Sequence, residues 1–138
     1  MKNFLKYCFL MWFGGSMYVT FEVFFRERSH VSMFILAGFV FIVVGLLNEL
    51  WGWGTSLIAQ IFVGVCIATA GEFITGCIVN IWLQLDIWDY SDLWGNILGQ
   101  VCPLFTLIWA PLILLAIVLD DVIRWKFFGE EKPIYHIL

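Results

Sequence analysis

The chain has 138 residues, of which 62% are hydrophobic and only 13% charged, with a mean hydropathy of +0.94. Soluble domains run at about 45–50% apolar and about 25% charged, so a water-soluble fold is excluded. Spans of about 20 apolar residues, four times over, leave no room for a soluble catalytic domain. A formal net charge of -4, with no run of Lys or Arg, excludes nucleic acid as a partner.

The sequence predicts an all-α integral membrane bundle of four transmembrane helices, a single domain over 1–138. Helix 1 is expected over about 4–25, ending at Arg26-Glu27-Arg28. It reads as a membrane helix and not as a removed secretion signal, because the apolar run continues to Phe25 without a small-x-small cleavage site. Helix 2 is expected over about 31–50. The turn Trp51-Gly52-Trp53-Gly54 allows only an antiparallel return, so helices 2 and 3 should be neighbours. Helix 3 stays apolar over about 55–83, longer than one crossing. A polar segment from Asp86 to Asn96 precedes helix 4, expected over about 97–119 and carrying Pro103 and Pro111. The tail over 120–138 mixes charges and aromatics and is expected to be interfacial. Lys2, Lys6, Arg124, Lys126 and Lys132 fall at one end of such a bundle, and only Arg26 and Arg28 at the other. The basic excess predicts both termini in the cytoplasm.

Charged side chains within a span cost about 2.5–3.5 kcal/mol even on the lenient insertion scale, so each asks for a reason. Glu22 and Glu72 should lie at similar depth, since helices 1 and 3 run in the same direction. Glu22 has a bland alternative, an ion pair with Arg26 one turn later. Glu49, beside Asn48 at the other end, reads equally as an interfacial charge. Glu72 belongs to the four-residue series Gln60, Gly64, Ala68, Glu72, Gly76, Asn80, in which small residues permit close helix approach. Each such step advances about 40° around an ideal helix, so the series predicts a slowly wrapping, packed seam. Its bland alternative is a carboxyl that hydrogen-bonds a neighbouring helix as structural glue. Asp86, Asp89 and Asp92 sit among Trp88, Tyr90 and Trp94 near the expected depth of Glu72, either as a cation-attracting cluster or as a solvated acidic loop.

Other chemistry finds no support. There is no GxxxxGK[ST] loop, His30 and His136 have no ligand-like partner nearby, and Cys8, Cys66, Cys77 and Cys102 lack CxxC spacing. No catalytic residue, metal or cofactor is nominated, and the chain does not read as an enzyme.

Glu72-Phe73-Ile74-Thr75-Gly76, Asn80, Trp88-Asp89-Tyr90-Ser91, Asn96 and Gly99-Gln100-Val101-Cys102 together resemble a family of small bacterial membrane proteins, the "putative ABC-transporter type IV" or ABC transporter permease family. The likeness covers about 47–124, with Glu22 similar to a glutamate of the family's first helix. Trp94-Gly95 stands where a proline commonly follows the Trp-Asp-Tyr-Ser segment. The resemblance implies a polar core of Glu72, Asp89, Tyr90, Asn96 and Gln100, and a permease-like protein of the bacterial inner membrane. It also implies an ATPase partner. The cytoplasmic connection between helices 2 and 3 is too short for a motor to push, so coupling would fall to the tail after Asp120 or to another subunit.

Two functions are therefore expected. In one, the chain is a transport component in which Glu22, Glu72, Asn80, Asp89, Tyr90, Asn96 and Gln100 form a polar site. In the other it is a non-transporting scaffold or accessory subunit whose polar residues specify helix packing. Four helices enclose little volume, so a homo-oligomer or other membrane subunits are expected beside the lipid bilayer.

Overall fold

The computed structural model describes residues 1–138 and is all-helical, with four helices long and apolar enough to cross a membrane. They are α1 (Lys2–Arg26), α2 (Val31–Trp51), α3 (Leu57–Gly76, continued by a π-helical segment Cys77–Trp82) and α4 (Pro103–Phe128).

Local chemistry sets the ends. The first span closes on Glu27, which takes a left-handed conformation (φ 60°) and sends its N–H to the Val23 carbonyl. His30 caps α2 by accepting the Ser32 N–H on its imidazole, and Ser56 caps α3 by accepting the Ala59 N–H on its hydroxyl. Gly52 (φ 84°) turns the chain between them, as the Trp-Gly-Trp-Gly motif predicts.

The fourth helix departs from its expected bounds at both ends. It starts at Pro103, not near 97, because a residue before proline is barred from helical geometry and Cys102 is extended (φ -151°). Pro103 is thus the opening residue, where its missing N–H leaves no bond unmade, and only Pro111 lies inside. At the other end α4 continues through the expected tail to Phe128 and stops at Gly129 (φ 69°). Asp120 and Arg124 pair there inside the bundle and Asp121 is hydrogen-bonded, which removes the reason for the helix to end at the last apolar residue.

The second helix is central, packed against each of the others, whereas α1 and α4 scarcely meet. Of the most apolar stretch of α1 only 17% is buried within the chain, against 56% for α2, so α1 gives most of its surface to its surroundings. Val44, Ala68, Ile113 and Ile117 form the fully buried centre. Lipid offers no hydrophobic gain for helix association, so contact distance decides. A Cβ on Gly45 would fall on the Asp120 carboxylate, and one on Gly76 would strike Gln100.

The carboxyl-terminal segment returns to the start of α3, where Leu57 N–H bonds the His136 carbonyl at 2.7 Å and Ser56 Oγ bonds that of Ile137 at 3.0 Å. Both termini therefore lie at the end of the bundle that holds the α2–α3 turn.

Candidate functional site

The seam predicted on helix 3 is the buried face of that helix: Gln60, Gly64, Ala68, Glu72 and Gly76 are its buried residues. The π-helical segment then takes more residues per turn, so the step to Asn80 no longer overshoots the seam.

Glu72 is 3% exposed, and both of its oxygens are occupied. Oε1 accepts the Tyr90 hydroxyl at 3.2 Å and Oε2 accepts the Trp109 indole N–H at 3.0 Å. Each donor is held by a stacked ring, Tyr90 by Phe105 (centroids 4.5 Å apart) and Trp109 by Tyr18 (5.5 Å). Burial, reinforced by the charge of Glu72, pushes the Tyr90 phenol above its ordinary range, so it remains a donor.

The other amides hold the loop that delivers Tyr90. Asn80 gives Nδ2 to Gln100 Oε1 at 2.8 Å and accepts the Ile87 N–H on Oδ1 at 2.7 Å. Gln100 gives Nε2 to the Leu98 carbonyl at 2.9 Å, while its own carbonyl takes the Trp88 indole N–H at 3.0 Å. Asn96 bridges the Leu93 and Ser91 carbonyls and the Gly99 N–H, and Tyr90 N–H bonds the Gly99 carbonyl at 2.7 Å. Leu98 (φ 54°) and Gly99 (φ 71°) make this compact loop where helix was expected.

Asp89 does not join this core. It is exposed and accepts the Ser91 N–H at 2.9 Å and the Ser91 hydroxyl, closing a local turn. Those two bonds hold its carboxyl below the usual aspartate range. Asp86 and Asp92 are exposed as well, so the three aspartates form a solvated loop rather than a cluster beside Glu72.

A cleft of ≈ 510 Å³ separates α1 from α4, with Glu72 and Tyr90 in its wall and Glu22 and Arg26 facing them from α1. Glu22 is half-buried and forms no ion pair with Arg26; the Arg26 guanidinium lies over the Phe105 ring, 4.8 Å from its centroid. Of the seven expected site residues, Glu72 and Tyr90 touch directly and Glu22 shares their cleft. Asn80, Asn96 and Gln100 shape the loop, and Asp89 stands apart.

A second polar cluster lies at the opposite end, where the sequence reading placed an interfacial tail. Arg124, 2% exposed, gives Nε to Asp120 Oδ2 at 2.6 Å and Nη1 to Glu49 Oε1 at 3.1 Å. Asn48 gives Nδ2 to Asp121 Oδ2, which also accepts the Tyr135 hydroxyl, both at 2.7 Å. Glu49 is therefore an ion-pair partner and not a free helix-end charge. The four-residue step from Asp120 to Arg124 was the available signal, since it puts opposite charges on one helical face directly after an apolar run.

No curated protein and no solved structure matches the chain. The family model described as "Putative ABC-transporter type IV" matches residues 2–134, nearly the whole length, and the chain belongs to that family.

Proposed function

We propose that the protein is a membrane transport component, a permease-like subunit whose solute path passes Glu72. The observation that supports this reading is the cleft beside that carboxylate. A purely structural carboxylate needs no space next to it, yet here ≈ 510 Å³ adjoins Glu72, with Glu22 and Arg26 on the facing helix. Phe25, Ile108 and Leu115, all exposed, edge the cleft, so a solute with an apolar part would enter sideways from the bilayer. The path is completed by a second copy or another membrane subunit, for which the sparsely covered α1 is the natural contact. The protein sits in the bacterial inner membrane with its basic end and both termini in the cytoplasm. An ATPase partner would engage the carboxyl-terminal end or another subunit, because the α2–α3 turn is too short to be pushed.

The test is uptake of a panel of radiolabelled small solutes of both charge signs into proteoliposomes holding equal amounts of wild type or Glu72→Gln. At least one solute should move with the wild type and not with the variant, at unchanged fold and oligomer size. Undiminished flux in the variant refutes the role. One observation favours the scaffold reading: both Glu72 oxygens already have donors. Under it no solute moves with either protein, and Glu72→Gln shows only in thermal stability or oligomer size.

A further inference from the structure

The cleft beside Glu72 is the middle one of three cavities that adjoin along α1. Towards the termini it passes into a narrow apolar cavity of ≈ 60 Å³, the two sharing Tyr18, Phe21, Trp109, Leu112 and Leu115. Gly14 and Leu119 wall the far part of that cavity. Towards the other end of the bundle the cleft meets a cavity of ≈ 240 Å³ beside the α1–α2 connection, and here the shared wall is Tyr18, Glu22, Arg26 and Tyr90. At a rise of 1.5 Å per residue, Gly14 and Arg26 stand about 18 Å apart along α1. An apolar groove long enough for an acyl tail, and narrow enough at its lower end for only one, thus leads up to two charged side chains.

Those charges have no counter-charge within the chain. Glu22 and Arg26 stand one turn apart on α1, yet neither forms an ion pair with the other or with any other group. Arg28, in the lining of the ≈ 240 Å³ cavity, is unpaired as well. Glu72 is already engaged by Tyr90 and Trp109, and Phe105 holds the Arg26 guanidinium at the mouth of the cleft. Charges at the edge of the hydrocarbon region call for partners, and this groove presents one free charge of each sign at its head. An anionic amphiphile would pair with Arg26 and leave Glu22 facing its like. A cationic one would pair with Glu22 and meet two arginines. A head that carries both signs satisfies both sides, and phosphate is the anion that guanidinium groups grip best, through two parallel hydrogen bonds.

We propose that the groove between α1 and α4 binds a single-chain amphiphile with a zwitterionic ammonium-phosphate head, of the lysophosphoethanolamine class. Its tail lies between the two helices as far as Gly14, its phosphate pairs with Arg26 and Arg28, and its ammonium pairs with Glu22. As the solute to be moved, this amphiphile rests on the reading of Glu72 as part of a transport path; as a bound ligand it does not.

The experiment is photo-crosslinking of the full-length protein in nanodiscs, with four probes that share one diazirine-bearing acyl tail and differ in the head: phosphoethanolamine, phosphate, trimethylammonium and glycerol. Adducts on Met17, Leu115 and Leu119, counted by mass spectrometry against those on Trp12, which is exposed outside the groove, report occupancy. The phosphoethanolamine probe should label the groove about tenfold more than the other three. Glu22→Gln and Arg26→Gln, neither at a fully buried position, should each lower that labelling about tenfold, while Glu131→Gln at the other end of the bundle should leave it unchanged. Equal labelling by the four heads means that bilayer lipid of any kind fills the groove, and overturns the proposal. So does a preference for the phosphate probe over the phosphoethanolamine one, or labelling unaffected by Glu22→Gln. Head-selective labelling without flux in the proteoliposome assay retires the transport reading and leaves this site standing; flux without head selectivity overturns this site alone.

Discussion

Tyr90, carried on a loop outside the membrane helices, donates its hydroxyl across 3.2 Å to the buried carboxyl of Glu72 on α3. This bond ties the Trp-Asp-Tyr-Ser segment to the seam of α3. Tyr90→Phe keeps the ring stacked on Phe105 and removes only the donor. Loss of this donor leaves a buried carboxyl oxygen unsatisfied, which costs about 1–3 kcal/mol, so the variant should unfold several degrees lower in detergent. Intrinsic tryptophan fluorescence during a thermal ramp measures this, and an unchanged midpoint would show the bond to be dispensable.

Asn80 and Asp89 should respond very differently to alanine. Asn80 makes bonds on both its amide atoms to the loop, whereas Asp89 bonds only Ser91 at the surface. Asn80→Ala should destabilise by about 2–3 kcal/mol and speed hydrogen exchange at the Ile87 amide; Asp89→Ala should stay within about 0.5 kcal/mol. Equal effects would mean that the loop is not anchored through the amides.

Removing Arg124 strands Asp120, which is 0% exposed and whose one bonded oxygen faces that arginine. Arg124→Gln should therefore destabilise by about 3–5 kcal/mol. Adding Asp120→Asn should recover part of the loss, since the neutral pair no longer buries a lone charge. Denaturation of the two single variants and the double variant tests this, and strict additivity would argue against the pairing.

Gly45→Ala places a methyl group on the Asp120 carboxylate and should cost about 1–3 kcal/mol by overpacking. Gly54→Ala, with open space around its Cβ position, is the matched control. Comparable losses at the two sites would show that the contact between α2 and α4 is looser than the geometry states.

Acid should weaken the link between the termini. Burial opposes ionisation of Glu130, but its contacts with Lys6 and Glu49, with the Arg124 charge nearby, together outweigh burial and hold the carboxyl below the ordinary value of 4.5. A group whose value is depressed by folding stabilises the fold above its unfolded value, and that contribution is lost as the pH falls through the folded one. Glu130→Gln should thus be less stable than the wild type at neutral pH, with the gap closing below pH 4.5. A gap that persists in acid would assign the difference to packing instead of charge.

Hydropathy and residue spacing by themselves determined that there are four spans, that the α2–α3 turn is tight, and that Gln60, Gly64, Ala68, Glu72 and Gly76 face inward. These are local properties: apolar length is set by bilayer thickness, and a helical face by its period. They could not place Pro103, which reads as either a kink or a helix start until the preceding backbone is known to be extended. Nor could they part Asp89 from Tyr90, because adjacent loop residues can point to water or to protein at no difference in pattern. Only the tertiary structure decided that Asp120, Asp121 and Arg124 are interior. Their partners, Glu49 and Asn48, lie on another helix, and a buried charge is tolerated only where distant segments bring it a counter-charge or a hydrogen bond.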